Sequence, residues 1–148
     1  MRQAELLREN TRELEMNLSS INRNSCCCSI SDAQCFVLVE IGRNSGISVK
    51  KLADNLRLDK SGISRTVDEL VRKGLVKRQQ SKTDRRYVVL DLTNKGTARF
   101  NKIESEMDQR FTEILKRIPR DKRRQVIEGL ELYNAALESS MSEEDFDL

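Results

Sequence analysis

The chain contains a single proline, Pro119, among its 148 residues, and this scarcity of helix breakers favours long helices. Residues 2–22 carry apolar side chains at helical spacing between Glu and Arg side chains. Residues 94–118 carry a similar apolar stripe, and residues 121–139 carry a third. The sequence therefore predicts a mainly helical fold, with long amphipathic helices on either side of a middle segment.

Three shorter helices are predicted in that middle segment, over residues 33–44, 49–58 and 60–73. The residues suited to cap them are Ser31 or Asp32 for the first, Ser48 for the second and Gly74 for the third. The first of these helices is rich in apolar residues and is expected to be the central helix of a small core. Its residues expected to face inward are Cys35, Phe36, Leu38, Val39 and Ile41.

Two strands are predicted next, over residues 75–80 and 86–92, joined by the polar turn SKTDR. Thr93 then suits the N-cap of the following helix. A hairpin that follows two short helices joined by a tight turn is the wing of a helix-turn-helix. The predicted fold class is therefore mainly α, with an α+β winged helix-turn-helix.

The predicted organisation is a single domain with three regions and a tail. Residues 31–93 form the winged-helix lobe, residues 1–23 and 94–140 form the outer helices, and residues 141–148 form an acidic tail. Because the lobe already has its own core, the apolar stripes of the outer helices need another surface to cover them. A second copy of the chain is the simplest candidate, so we expect a homodimer.

The positive charge of the chain is concentrated in residues 60–86. That segment holds 9 basic and 3 acidic residues, whereas residues 1–59 hold 8 of each. Residues 87–148 hold 10 basic and 13 acidic residues, so the surplus lies in one segment. A local excess of this kind indicates a polyanionic partner, and double-stranded DNA is the partner that a helix-turn-helix suits.

The outer face of the third short helix is small, polar and basic, as a helix that enters the major groove requires. Its candidate DNA contacts are Lys60, Ser61, Gly62, Ser64, Arg65, Thr66, Arg72 and Lys73. Arg65 is the early side chain able to make a bidentate contact with guanine. The wing tip adds Lys82, Arg85 and Arg86, of which an arginine could enter the minor groove, and Asp84 could pair with Arg86 and fix its direction.

Residues 58–96, LDKSGISRTVDELVRKGLVKRQQSKTDRRYVVLDLTNKG, resemble the signature region of the multiple antibiotic resistance regulator (MarR) family. The matching positions are Ser61, Ser64, Arg65, Leu70, Gly74, Leu75, Val76, Arg78, Asp84, Arg86, Leu90, Leu92, Thr93, Lys95 and Gly96. The resemblance implies a two-fold dimer built from the first helix and the last two. It also implies a nearly palindromic operator and a regulator, mostly a repressor, that releases DNA when an effector binds or a cysteine is oxidised.

The cysteines are not part of that signature, so their role is argued from chemistry. Cys26, Cys27 and Cys28 are consecutive, and Cys35 follows in the predicted helix. Thiolates bind soft metal or metalloid ions and are oxidised, and the chain has no histidine to share such a site. Three roles for the consecutive cysteines stay open: they could be oxidised, they could bind a soft ion, or they could be inert in a regulator that senses a small organic ligand. For Cys35, core packing is the favoured interpretation, against a thiol activated by the helix dipole.

Other function classes fit the sequence less well. A thiol-based metal-transfer or redox protein is the alternative of another class, but the chain has no Cys-x-x-Cys, histidine base or glycine-rich phosphate loop. A winged helix that binds protein would not need the basic segment. We therefore expect no enzyme activity. Without a long apolar stretch or secretory signal, we also expect a cytoplasmic protein with no membrane partner.

Overall fold

A computed structural model describes residues 2–24 and 30–144 of the chain. Its helices are α1 (Gln3–Asn24), α2 (Asp32–Arg43), α3 (Val49–Leu56), α4 (Lys60–Arg72), α5 (Asn94–Lys116), a short 3-10 helix (Arg120–Lys122) and α6 (Arg123–Glu144). Its strands are β1 (Ile47–Ser48), β2 (Val76–Gln80) and β3 (Val88–Leu92). The chain divides into two compact units, Met1–Ile103 and Glu104–Leu148. The mainly helical winged helix-turn-helix predicted from the sequence is confirmed.

The sheet of the first unit is antiparallel, with strand order β1-β3-β2. In the hairpin, Val76 pairs with Leu92 and Gln80 with Val88. The sequence predicted these two strands but missed β1, whose Ile47 pairs with Leu90. Two residues are too few to show the alternation that identifies a strand, and Ser48 was already assigned to a helix cap.

Local hydrogen bonds begin the three short helices where the sequence predicted. Ser31 caps α2, and its Oγ accepts from the backbone N–H of Gln34 at 3.2 Å. Ser48 caps α3 through the N–H of Lys51 at 3.1 Å, and Asp59 caps α4. Each side chain satisfies one of the backbone donors that a helix N-terminus leaves without a partner.

The core of the first unit lies between α2, α3, α4 and the sheet. Its fully buried side chains are Val37, Leu38, Ile41, Leu52, Ile63, Val67, Leu70, Val76 and Leu90. The prediction that Phe36 faces inward was wrong, because its side chain is 57% exposed and Val37 is buried instead. The buried stripe of α2 follows residues 34, 37, 38 and 41, and Phe36 lies ~200° of helical rotation away from Leu38.

The turn after α4 is fastened to the start of α5. Gly74 adopts φ +73°, the left-handed conformation expected after a helix. Thr93 donates from its N–H to the carbonyl of Leu75 at 3.1 Å and from its hydroxyl to the carbonyl of Gly74 at 2.6 Å. Its Oγ1 also accepts from the N–H of Gly96 at 3.0 Å, so the predicted N-cap role of Thr93 is confirmed. We call Gly74, Leu75, Thr93 and Gly96 the turn clasp.

The outer helices carry large apolar side chains on their surfaces. On α1 the exposed ones are Leu6, Leu7, Leu14, Met16 and Leu18. On α6 of the second unit they are Val126, Ile127, Leu130, Leu132, Leu137 and Met141. The helix α6 continues to Glu144, into the segment that the sequence assigned to an acidic tail. Among the described residues, no helix combines the length and apolarity needed to cross a membrane.

Candidate nucleic-acid interface

The first turn of α4 is organised by the carboxylate of Asp59. Its Oδ2 accepts from the hydroxyl of Ser61 at 2.5 Å and from the backbone N–H of Gly62 at 2.9 Å. The Ser61 hydrogen bond, followed by the Gly62 one, lowers the pKa of Asp59 below its ordinary value. The cap therefore stays ionised at neutral pH, where it also interacts favourably with the positive end of the helix dipole.

The outer face of α4 is exposed opposite its buried residues Ile63, Val67 and Leu70. Of the residues that the sequence assigned to this face, the exposed ones are Lys60, Ser61, Arg65, Arg72 and Lys73, and the half-buried ones are Gly62, Ser64 and Thr66. The hydroxyl of Thr66 donates to the carbonyl of Gly62 at 3.1 Å, within the helix. The face thus combines small side chains near its start with cations along its length, which suits a close approach to DNA.

Lys73 differs from the other cations of this face. Its Nζ donates to Oε1 of Gln34 at 2.7 Å, so the ammonium is held against α2. The prediction that Lys73 contacts DNA stays a prediction, but such a contact would require this bond to break or the ammonium to share its donors. The periodicity of α4 could not show this, because Gln34 lies on another helix.

The wing tip holds Arg86 in a fixed direction. Its guanidinium donates to both carboxylate oxygens of Asp84, from Nε at 3.0 Å and from Nη2 at 2.8 Å. The bidentate hydrogen bond lowers the pKa of Asp84 and raises the pKa of Arg86. The pairing predicted from the sequence is confirmed, and the Arg86 side chain is nevertheless 83% exposed. Its remaining N–H donors are available to another acceptor.

Hydrogen bonds within the tip support that pair. The N–H of Ser81 donates to the carbonyl of Tyr87 at 2.9 Å, and the N–H of Tyr87 donates to the carbonyl of Asp84 at 3.1 Å. Asp84 also donates its N–H to the hydroxyl of Ser81 at 3.3 Å. The other two predicted wing contacts, Lys82 and Arg85, are both exposed on this closed tip.

An ion pair that sequence reasoning missed joins the helix to the wing. Nη2 of Arg78 on β2 contacts Oδ1 of Asp68 on α4. Arg78 was recognised as a matching position, but nothing in the sequence assigned it a partner 10 residues away. Exposed ion pairs contribute little to stability, and this one connects the exposed surface of α4 to β2.

The structure places only one of the four candidate sensor cysteines. Cys26, Cys27 and Cys28 lie outside the described residues, and Cys35 is half-buried on α2. Within residues 2–24 and 30–144, no group of three or more His, Cys, Asp or Glu side chains is arranged to hold a metal ion. Soft-ion binding at the cysteines stays a prediction.

Comparison with known proteins identifies the winged helix. Residues 30–88 match the model of the MarR family. The winged-helix lobe is therefore similar to the MarR family. The chain is 26% identical over 106 residues to the HTH-type transcriptional regulator BilQ of Clostridium symbiosum, an alignment that covers 72% of this chain and 74% of BilQ.

Two further comparisons show similar proteins. The chain is 28% identical over 74 residues to the HTH-type transcriptional repressor MdtR of Bacillus subtilis, covering 50% of this chain and 48% of MdtR. Its fold is similar to that of Streptococcus pneumoniae FabT, crystallised in complex with DNA, with a TM-score of 0.82 and 21% identity. That match covers 93% of this chain and 99% of FabT. The chain thus has a winged-helix fold, a lobe that matches the MarR family model, and relatives named as HTH-type transcriptional regulators.

Proposed function

We propose that this chain is a MarR-family transcriptional regulator that binds double-stranded DNA as a homodimer, with α4 in the major groove and the wing in the adjacent minor groove. The observation that carries the proposal is the exposed Arg86, which Asp84 holds in one direction beside a helix with an exposed cationic face. Phosphate contacts from the lysines and arginines supply affinity, and Arg65 supplies base recognition. The solved DNA complex of FabT, which has the same fold, supports this mode of binding.

The homodimer is proposed from the apolar surfaces of the outer helices. Leucines of α1 and α6 that a single chain leaves exposed, such as Leu7, Leu14, Leu130 and Leu137, are of the kind that a subunit interface covers. A two-fold dimer presents two copies of α4 and two wings, so the operator is expected to be nearly palindromic, with half-sites about one helical turn apart. Repression is the regulatory sense we propose, since the relative MdtR is named a repressor.

The test is DNA binding as a function of salt. A duplex selected from a random-sequence pool should bind the dimer with an affinity that falls linearly on a log–log plot against salt, because each neutralised phosphate releases counterions. Arg65→Ala should relax the preference at one base pair by about tenfold while binding to unselected duplex stays similar. Arg120→Ala, which removes an exposed cation of the 3-10 helix, is the matched control.

Three outcomes would contradict the proposal. Failure to bind any duplex at low ionic strength would exclude the DNA-binding role. Unchanged base preference in Arg65→Ala would exclude its recognition role. A monomer mass by light scattering at the protein concentrations used would exclude the homodimer.

We further propose that the cysteine cluster is the sensor through which an effector releases DNA. Two thiols and one molecule of hydrogen peroxide give one disulfide and two molecules of water, and thiolates also bind soft ions such as cadmium or arsenite. Either event would change the segment that joins α1 to α2. The four cysteines support both chemistries, and no histidine is present to supply another soft-ion ligand.

Replacing Cys26, Cys27 and Cys28 together with serine should abolish this response. The reduced, metal-free protein should lose DNA affinity after peroxide or cadmium treatment, whereas the triple variant should bind equally before and after. Cys35→Ser is the control, because its thiol lies within α2. If the untreated and treated native proteins bind alike, the cysteines are not the sensor and a small organic ligand becomes the expected effector.

A further inference from the structure

Gln34 is a polar side chain in the core of the winged-helix lobe, 7% exposed. Its Oε1 accepts from the backbone N–H of Ser31 at 3.3 Å and from Nζ of Lys73 at 2.7 Å. Its Nε2 donates to Oε2 of Glu69 at 2.7 Å. A buried amide is tolerated where it is hydrogen-bonded, and here two of its partners are charged groups, which form the stronger bonds.

The three partners of Gln34 belong to two different elements. Ser31 is the N-cap of α2 and forms a capping box with Gln34, so the amide is part of the structure that starts this helix. Glu69 lies in the last turns of α4, and Lys73 is its C-cap. The two are four residues apart, a spacing at which opposite charges can pair directly on one helix face. Gln34 bonds to both and joins them to the start of α2.

The same end of α4 is also held by α5. The carbonyl of Lys73 accepts from Nζ of Lys95 at 3.2 Å, one residue before Gly96 of the turn clasp. The apolar side chains of α4 that face the core are non-directional contacts, and they permit small rotations of the helix about its axis. Hydrogen bonds to Glu69 and Lys73 are directional, so they define that rotation.

We propose that Gln34 is a positioning residue for the recognition helix: it fixes the rotation of α4 relative to the start of α2, and so sets the affinity for DNA. The inference rests on the proposed function, since α4 is the element that would enter the major groove. Ser31, which is hydrogen-bonded to Gln34, lies three residues after Cys28 in the sequence. The network therefore connects the start of α2 to the last turns of the recognition helix.

A reciprocal exchange of the two side chains tests this role. Gln34→Glu places a carboxylate against Glu69 and removes the donor that Glu69 accepts from, so DNA affinity should fall roughly threefold to thirtyfold. In the double variant Gln34→Glu with Glu69→Gln, the new glutamate accepts from Ser31, Lys73 and the new amide. That variant restores every hydrogen bond with the same net charge, and affinity should return to within about twofold of the native value.

Two further measurements separate positioning from stability and from the proposed function. Val37→Ala, a buried apolar change on the same helix, should lower the free energy of unfolding but leave the affinity of the folded protein for DNA unchanged. Amide hydrogen exchange of the last two turns of α4, measured without DNA, should accelerate in Gln34→Glu and return to the native rate in the double variant.

Native affinity in Gln34→Glu, or a well-folded double variant that stays impaired, would overturn the inference. The inference would also be overturned if the amide hydrogen exchange rate of α4 were the same in the native protein, in Gln34→Glu and in the double variant. If the native protein binds no duplex while the exchange rates follow the swap, the proposed function fails and the positioning of α4 by Gln34 stands.

Discussion

Replacing Gly96 with alanine is expected to lower the free energy of unfolding by about 3 kcal/mol, although alanine is ordinarily the better helix former. A Cβ at this position would lie 1.9 Å from the carbonyl oxygen of Leu75. That oxygen belongs to the backbone of the turn clasp and already accepts from the N–H of Thr93. The methyl group can therefore fit only if the start of α5 moves away from the turn and the Thr93 bond is lost.

The glycine of α6 provides the matched control for this substitution. Gly129 is also helical, but a Cβ there meets no atom of the described residues within 4 Å. Gly129→Ala should raise the free energy of unfolding by about 0.5–1 kcal/mol, the usual gain from replacing a helical glycine. The free energies of unfolding of both variants can be measured by urea denaturation, monitored by circular dichroism. A Gly96→Ala protein as stable as the native one would show that α5 and the turn do not approach so closely.

The turn clasp explains why glycine is required at position 96, which the sequence analysis identified only as a position that matches the MarR family. Gly96 was part of the resemblance to the MarR family, but its reason for being glycine is the carbonyl of Leu75, about 20 residues earlier in the chain. By contrast, the caps at Ser31, Ser48 and Thr93 were predicted correctly, because each depends on residues within one helical turn.

The errors at α2 have a single physical origin. The sequence prediction placed Phe36 on the inward face of this helix and left out Val37 and Gln34. The structure instead buries the stripe that contains Val37 and the polar residue Gln34. A glutamine becomes a core residue only where its hydrogen bonds are satisfied, and the groups that satisfy this one, Glu69 and Lys73, are on α4. No local pattern in α2 carries that information.

Within the candidate interface, the same distinction between local and distant contacts applies. The pairing of Asp84 with Arg86 was predicted because the two residues are close in sequence and lie on one tight turn. The ion pair of Asp68 with Arg78 and the bond from Lys73 to Gln34 were missed, because they depend on how α4 packs against β2 and α2. The exposed cations of the interface could therefore be predicted from the sequence, whereas the contacts that hold them in place are seen only in the structure.

The wing arginine should have the largest effect on DNA binding of any single side chain. Arg86→Ala is expected to weaken binding to the selected duplex roughly tenfold to a hundredfold, because it removes a charged, preoriented hydrogen-bond donor from a narrow groove. Arg85→Ala removes an equal charge from the same exposed tip and should weaken binding only a few-fold, since none of the described residues forms a hydrogen bond or ion pair that orients Arg85. Fluorescence anisotropy at several salt concentrations measures each affinity.

A substitution that keeps the positive charge of Arg86 distinguishes the effect of its orientation from the effect of its charge. Arg86→Lys retains the positive charge but cannot donate to both oxygens of Asp84 in the planar arrangement seen here. It should therefore keep the salt dependence of the native protein while losing most of the affinity that Arg86→Ala loses. Asp84→Ala removes the carboxylate that orients Arg86 and also removes a negative charge near the DNA. This variant should therefore bind unselected duplex at least as well as the native protein does. Its preference for the selected duplex over unselected duplex should be smaller. If Arg86→Lys instead binds like the native protein, the wing contributes charge alone, and the Asp84 brace has no role in recognition.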